Sequence, residues 1–106
     1  MKIENKDKLA SMIGFAKKSG NIVSGVDSII EAIRKNKVIS VLLSRDCSDR
    51  TKKQLSDKCL SYNVKLVLLP FDGQELSGIV GHSSVLSAVA IKDANFASAI
   101  DKLLEE

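Results

Sequence analysis

The chain is poor in the residues on which much protein chemistry depends. Tryptophan is absent and aromatic residues make up 4% of the 106 positions. That excludes an aromatic platform of the kind on which unpaired bases stack. There is one histidine, His82, and the two cysteines, Cys47 and Cys59, are not spaced as a metal-ligand pair. A zinc site would lack ligands, and both thiols read as small apolar residues of a reducing compartment. There is no glycine-rich phosphate loop, no Cys–His spacing, and no carboxylate pair beyond helix-capping patterns. The sequence therefore points away from an enzyme, and implies no cofactor, metal or small-molecule substrate. Ser83 and Ser84 beside His82, and Asp46 beside Cys47, read as turn residues rather than as nucleophile, base or acid. No apolar run approaches the roughly 20 residues of a membrane helix. The first residues, Met1 to Lys8, are charged and lack an apolar signal region. A soluble cytoplasmic protein that does not touch the membrane is expected.

What is present suits one domain spanning 1–106, with 44% hydrophobic residues to fill one core. Charge is uneven. Residues 1–65 hold 14 Lys and Arg against 7 Asp and Glu, whereas residues 66–106 hold 2 against 6. A basic half favours a polyanionic partner, and a solvated lysine-rich surface is the plainer alternative.

The most informative stretch runs from Lys17 to Arg34. Val26, Ile29, Ile30 and Ile33 recur at i, i+3, i+4 and i+7, the buried face of a helix. Small, polar or turn-forming residues precede it. Gly25 permits close approach of a ligand backbone, and the free N–H groups of a first helical turn attract anions. Two readings stay open: a phosphate-facing helix start near Lys17 and Lys18, or an ordinary N-cap with Ser24 as the cap and Asp27 at the third helical position.

The remaining pattern alternates helices and strands. A first helix is expected from about Lys6 to Lys18, with Leu9, Met12, Ile13 and Ala16 inward and Gly20 as its stop. Asn21 to Val23 reads as a short strand, and the second helix runs from about Gly25 to Lys35, ending at Asn36. Val38 to Leu43 reads as an interior strand. Ser48 caps a third helix to about Tyr62, with Leu55, Cys59 and Tyr62 inward. Val64 to Leu69 reads as another buried strand ended by Pro70. Asp72 and Glu75 form a capping-box pattern for a short fourth helix closed by Gly81. Val85 to Ile91 reads as a third long strand, and Asp93 caps a last helix. No linker, repeat or low-complexity segment divides the chain. The expected class is α/β, a sheet between helical layers.

Several ordered pieces carry a resemblance: Ile13-Gly14-Phe15-Ala16-Lys17-Lys18-Ser19-Gly20, Val23-Ser24-Gly25-Val26-Asp27, Ala32-Ile33-Arg34, Val41-Leu42-Leu43, Thr51-Lys52-Lys53, Asp57-Lys58-Cys59 and Tyr62-Asn63-Val64. Together they resemble the bacterial YlxQ-type relatives of the archaeal ribosomal L-seven-Ae family, whose members bind kink-turn RNA. The resemblance reaches Phe96-Ala97 and implies a three-layer α/β/α sandwich around a mixed sheet of about four strands. It also implies a cytoplasmic RNA-binding or ribosome-associated protein, a ribonucleoprotein component. The family's kink-turn readers carry G-x-N-E-x-x-K at the second helix start. Here the matching residues are Gly25, Asp27, Ser28 and Glu31, and only the glycine is retained. Aspartate cannot donate as an asparagine amide does. Serine reaches less far than glutamate, and Glu31 reverses a charge. The family's second contact is the loop before the last long strand, here His82-Ser83-Ser84-Val85, with Ser84 where an arginine is common.

The first expectation is thus an RNA-binding protein that docks structured, bent RNA on the Gly25 helix start. Asn21, Ser24, Gly25, Val26, Asp27 and Ser28 would line that start. Lys17, Lys18, Arg34 and Lys37 would supply phosphate contacts, and His82, Ser83, Ser84 and Val85 would pack against bases or sugars. The alternative is a protein-interaction module on the same fold that has lost kink-turn reading, with a protein partner in place of RNA.

Overall fold

A computed structural model describes residues 3–105. The element order is α1 (Ile3–Lys18), β1 (Ile22–Ser24), α2 (Val26–Arg34), β2 (Ser40–Leu43), α3 (Asp49–Tyr62), β3 (Lys65–Leu68), α4 (Gly73–Val80), β4 (Ala88–Ile91) and α5 (Ala94–Glu105). The strands form one sheet in the order β1-β4-β2-β3. β4 runs antiparallel to both β1 and β2, and β2 runs parallel to β3, so the sheet is mixed.

Side chains of a strand alternate between faces, and the two central strands use both. Leu42, Val89 and Ile91 join Leu9, Ile13, Leu76, Val80 and Ile100 in one core, between the sheet and α1, α4 and α5. Val41, Leu43, Ala88 and Ala90 join Ile29, Ile33, Leu55 and Cys59 in the other, beneath α2 and α3. The expected α/β/α layering is therefore present. Burial pushes the Cys59 thiol up to about 11, in keeping with a small apolar residue.

Local signals are realised closely. Ser48 Oγ accepts from the Thr51 N–H at 3.1 Å. Asp72 and Glu75 form a reciprocal capping box at the start of α4, and Gly81 closes that helix in the left-handed conformation. Asn36 is left-handed as expected. The Asp93 carboxylate accepts from the Asn95 N–H ahead of α5.

Five expectations are corrected. Val64 to Leu69 is not a buried strand: β3 is an edge strand of four residues, and Leu68 is 54% exposed. The strand expected from Val85 begins only at Ala88, because the Leu86 N–H donates to the Gly73 carbonyl at 3.2 Å, outside the sheet. Similarly, β2 begins at Ser40 rather than Val38, with Ile39 exposed. Tyr62, expected inward, is exposed at the last position of α3, where the helix has passed the edge of its core. The first helix also begins earlier than expected, at Ile3.

The inward face of α2 is core, and Ile33 has no exposed surface. Ile33→Ala is expected to cost about 2–5 kcal/mol, through lost burial and a residual cavity. Chemical denaturation measures it, and a cost below about 0.5 kcal/mol would remove Ile33 from the core.

Candidate nucleic-acid interface

The start of α2 is built differently from an ordinary cap. Ser24 belongs to β1, so it is not the N-cap. Gly25 is, with φ 91° and ψ 145°, and no side chain hydrogen-bonds to the first turn. Asp27 thus stands at the second helical position, not the third. A Cβ on Gly25 would meet nothing within 4 Å, so the space in front of the helix start is open. The left-handed φ is a separate demand, since L side chains rarely adopt it. Asp27 and Ser28 are exposed on the first turn, and Val26 packs partly into the α2–α3 core.

This start lies beside the strand-entry loop. The Gly25 N–H donates to the Ala88 carbonyl at 3.4 Å, and Ser24 is paired with Val89. The loop leaves α4 at Gly81 and reaches β4 through His82 to Ser87. It is held at three points. The His82 N–H donates to Ser77 O at 2.8 Å, Leu86 N–H to Gly73 O, and Ser44 N–H to Ser87 O at 2.8 Å. Between these, His82 Nδ1 lies 3.3 Å from the Ser84 nitrogen and 3.0 Å from its carbonyl oxygen, closing a tight polar turn. His82, Ser83, Ser84 and Val85 are all exposed, and Val85 is 68% so.

Two residues that set this geometry carry no functional signal in the sequence. A Cβ on Gly73 would come within 2.6 Å of Val85 Cγ1 and 2.7 Å of the Leu86 carbonyl, so only glycine fits beneath the loop. Asp46 Oδ1 accepts from the Gly73 N–H at 2.9 Å, which ties the β2–α3 loop to the same point.

The basic residues divide. Lys17 and Lys18, in the last turn of α1, line a surface depression with Gly14, Phe15 and Gly81, next to the beginning of the loop. Arg34 and Lys37 do not join the Gly25 start. They lie at the opposite end of α2, roughly 13 Å away at 1.5 Å per residue over nine residues. Asn21 is likewise at the far end of β1, where its carbonyl accepts from Lys92. Glu31, one turn into α2, bonds to Lys35 at 3.0 Å, which holds its carboxyl below the usual range.

This fold recurs among solved structures. A Bacillus halodurans protein of unknown function superposes with a TM-score of 0.85 at 29% identity, covering 93% of this chain and 98% of that one. A Giardia lamblia 15.5kD RNA binding protein superposes with a TM-score of 0.77 over 99% of this chain and 88% of its own, at 14% identity, which speaks for the fold alone. Residues 7–100 match the model of the ribosomal protein L7Ae/L30e/S12e/Gadd45 family. The chain belongs to that family. Two members named RNA-binding protein YlxQ are similar along most of their length. The Bacillus subtilis (strain 168) protein is 34% identical over 97 residues, 89% of this chain and 92% of the relative. The Enterococcus faecium protein is 31% identical over 101 residues, 95% of each chain.

Within this family member, two glycines are expected to matter for different reasons. Gly25→Ala should cost about 1–3 kcal/mol in a denaturant titration, from its φ alone, since its Cβ meets open space. A cost near zero would mean that the α2 start relaxes freely. Gly73→Ala should cost a similar amount, about 1–3 kcal/mol, by overpacking. It should also shift the amide resonances of Val85 and Leu86, which Gly25→Ala should leave in place. Unmoved resonances in the Gly73 variant would show that the loop does not rest on this glycine.

Proposed function

We propose that the chain is a cytoplasmic RNA-binding protein, its whole length one RNA-binding domain, that docks a bent, structured RNA. The seat is the start of α2 together with the loop from His82 to Val85. One juxtaposition carries the reading: a helix start with open space and no side-chain cap lies against an exposed strand-entry loop, in a family whose YlxQ members are named for RNA binding. Unsatisfied N–H groups at such a start favour a phosphate oxygen, and the loop offers hydroxyls and Val85 to sugars or bases. Lys17 and Lys18 flank the beginning of the loop and supply attraction.

Shape, more than charge, distinguishes this seat. Arg45, in the β2–α3 loop, is shared between Asp72 and Glu75 at 3.5 and 3.6 Å. Asp27 and Glu31 add negative charge on α2 itself. A standard kink-turn should therefore bind weakly, and a ribosomal or other structured RNA of different detail is the better substrate for this surface.

The decisive measurement compares a kink-turn with a straight duplex of equal length, at one fixed salt concentration. The variant Asp27→Asn, Ser28→Glu, Glu31→Lys should gain affinity for the kink-turn over the duplex. A charge effect alone would raise both equally, because phosphate attraction carries no shape information. Strong kink-turn preference in the natural chain, unimproved by the triple change, would overturn this reading of α2. If the natural chain binds no RNA, the protein-interaction reading takes its place, with the 67% exposed Phe15 as the first residue to test.

A further inference from the structure

Three cations that take part in no ion pair among the described residues, Arg34, Lys37 and Lys92, stand at the end of the sheet opposite Gly25. Three chain segments adjoin there in register. The Asn21 carbonyl accepts from the Lys92 N–H at 2.9 Å, and the Ile39 N–H donates to the Ile91 carbonyl at 2.9 Å. Lys37 is two residues before Ile39. The Lys37 N–H in turn donates to the Ala32 carbonyl, which folds it back against the end of α2 beside Arg34. With neighbouring strands about 4.8 Å apart, Lys92, Lys37 and Arg34 stand on adjoining segments across one end of the molecule. All three are exposed, and among the described residues none takes part in an ion pair. Of the carboxylates at this end, Asp101 pairs with Lys65, Asp93 accepts from the Asn95 N–H, and Glu31 bonds to Lys35 and more weakly attracts Arg34 and Lys37, so this end keeps a positive excess.

Helix dipoles account for part of this row but not all of it. Arg34 lies in the last turn of α2, where a cation is favoured. Lys92 has the opposite placement. It stands two residues before α5, whose N-terminus disfavours a cation. A lysine held there, beside two other cations outside any ion pair, is suited to a polyanion.

We propose that this end of the sheet is a second RNA contact, which takes the phosphate backbone of a straight duplex segment without reading its sequence. It rests on the reading that the chain binds RNA. The two seats would lie at opposite ends of strands only three or four residues long. One molecule would then hold a bent element at one end and a flanking helix, or a separate one, at the other.

The test uses the full chain, a short bent RNA with minimal arms, and a straight RNA duplex of mixed sequence, each carrying its own label. At low salt the chain saturated with bent RNA should still capture the duplex in a ternary complex. The variant Arg34→Gln, Lys37→Gln, Lys92→Gln should lose that capture. Its slope of log affinity for the duplex against log salt should flatten by about 2, as expected for two to three lost phosphate contacts. Its affinity for the short bent RNA, measured at about 0.15 M salt where charges more than about 8 Å away are largely screened, should stay within about twofold of the natural chain. The charge-preserving variant Lys37→Arg, Lys92→Arg should retain capture, which separates charge from any loss of fold. Duplex binding with unchanged affinity and slope in the Gln variant would overturn the proposal. So would mutual displacement of the two RNAs, which would mean a single seat. Duplex capture without any bent-RNA binding would uphold this face and overturn the Gly25 seat. Failure of the natural chain to bind either RNA would overturn both.

Discussion

The antiparallel pairing of β4 with β1 and β2 is the constraint on which the rest of the molecule depends. Four residues, Ala88 to Ile91, hydrogen-bond on both sides and feed both cores, with Val89 and Ile91 to one face and Ala88 and Ala90 to the other. The two alanines keep that face shallow beneath Ile29 and Ile33 of α2. The entry to β4 brings the His82 loop against Gly25, and its exit brings Lys92 between Asn21 and Ile39. Each candidate RNA surface is thus an end of the same strand. A charge buried in β4 would disturb both cores and both surfaces together.

What the sequence revealed, it revealed through local physics. The i, i+3, i+4, i+7 face of α2, the Ser48 cap, the Asp72–Glu75 box and the left-handed Asn36 and Gly81 each depend on a few neighbouring residues. All were legible for that reason. Edge position was not. Val64 to Leu69 has the same apolar density as Val38 to Leu43, yet one borders solvent and the other lies between two strands. Only strand order distinguishes them. The alternative cap at Ser24 failed for a similar reason, because pairing with Val89 drew that serine into β1 and left Gly25 to begin the helix.

The site was legible in its parts and not in its arrangement. Gly25 meets Ala88 at the entry to β4, so the loop that begins at His82 ends beside the α2 start. Arg34 and Lys37 are close to Gly25 in sequence, but a helix of nine residues carries them to the other end of the molecule. Lys92 carried no signal, being one of two lysines in an acidic half of the chain. Gly73 and Asp46 were hidden differently. They touch no candidate ligand position, and they matter by fixing where the loop rests.

The exposed edges of the sheet also govern how copies of this chain meet one another. An open strand presents unpaired backbone groups that can recruit another chain. On one side β1 is only three residues long, too short to template an added strand. On the other, β3 carries Lys65, tied to Asp101 at 2.8 Å, at its entry, and Pro70 follows two residues after its exit. Leu68 is the weak point between those guards. A charge there would leave both cores untouched, and would make crowded chains slower to associate edge to edge.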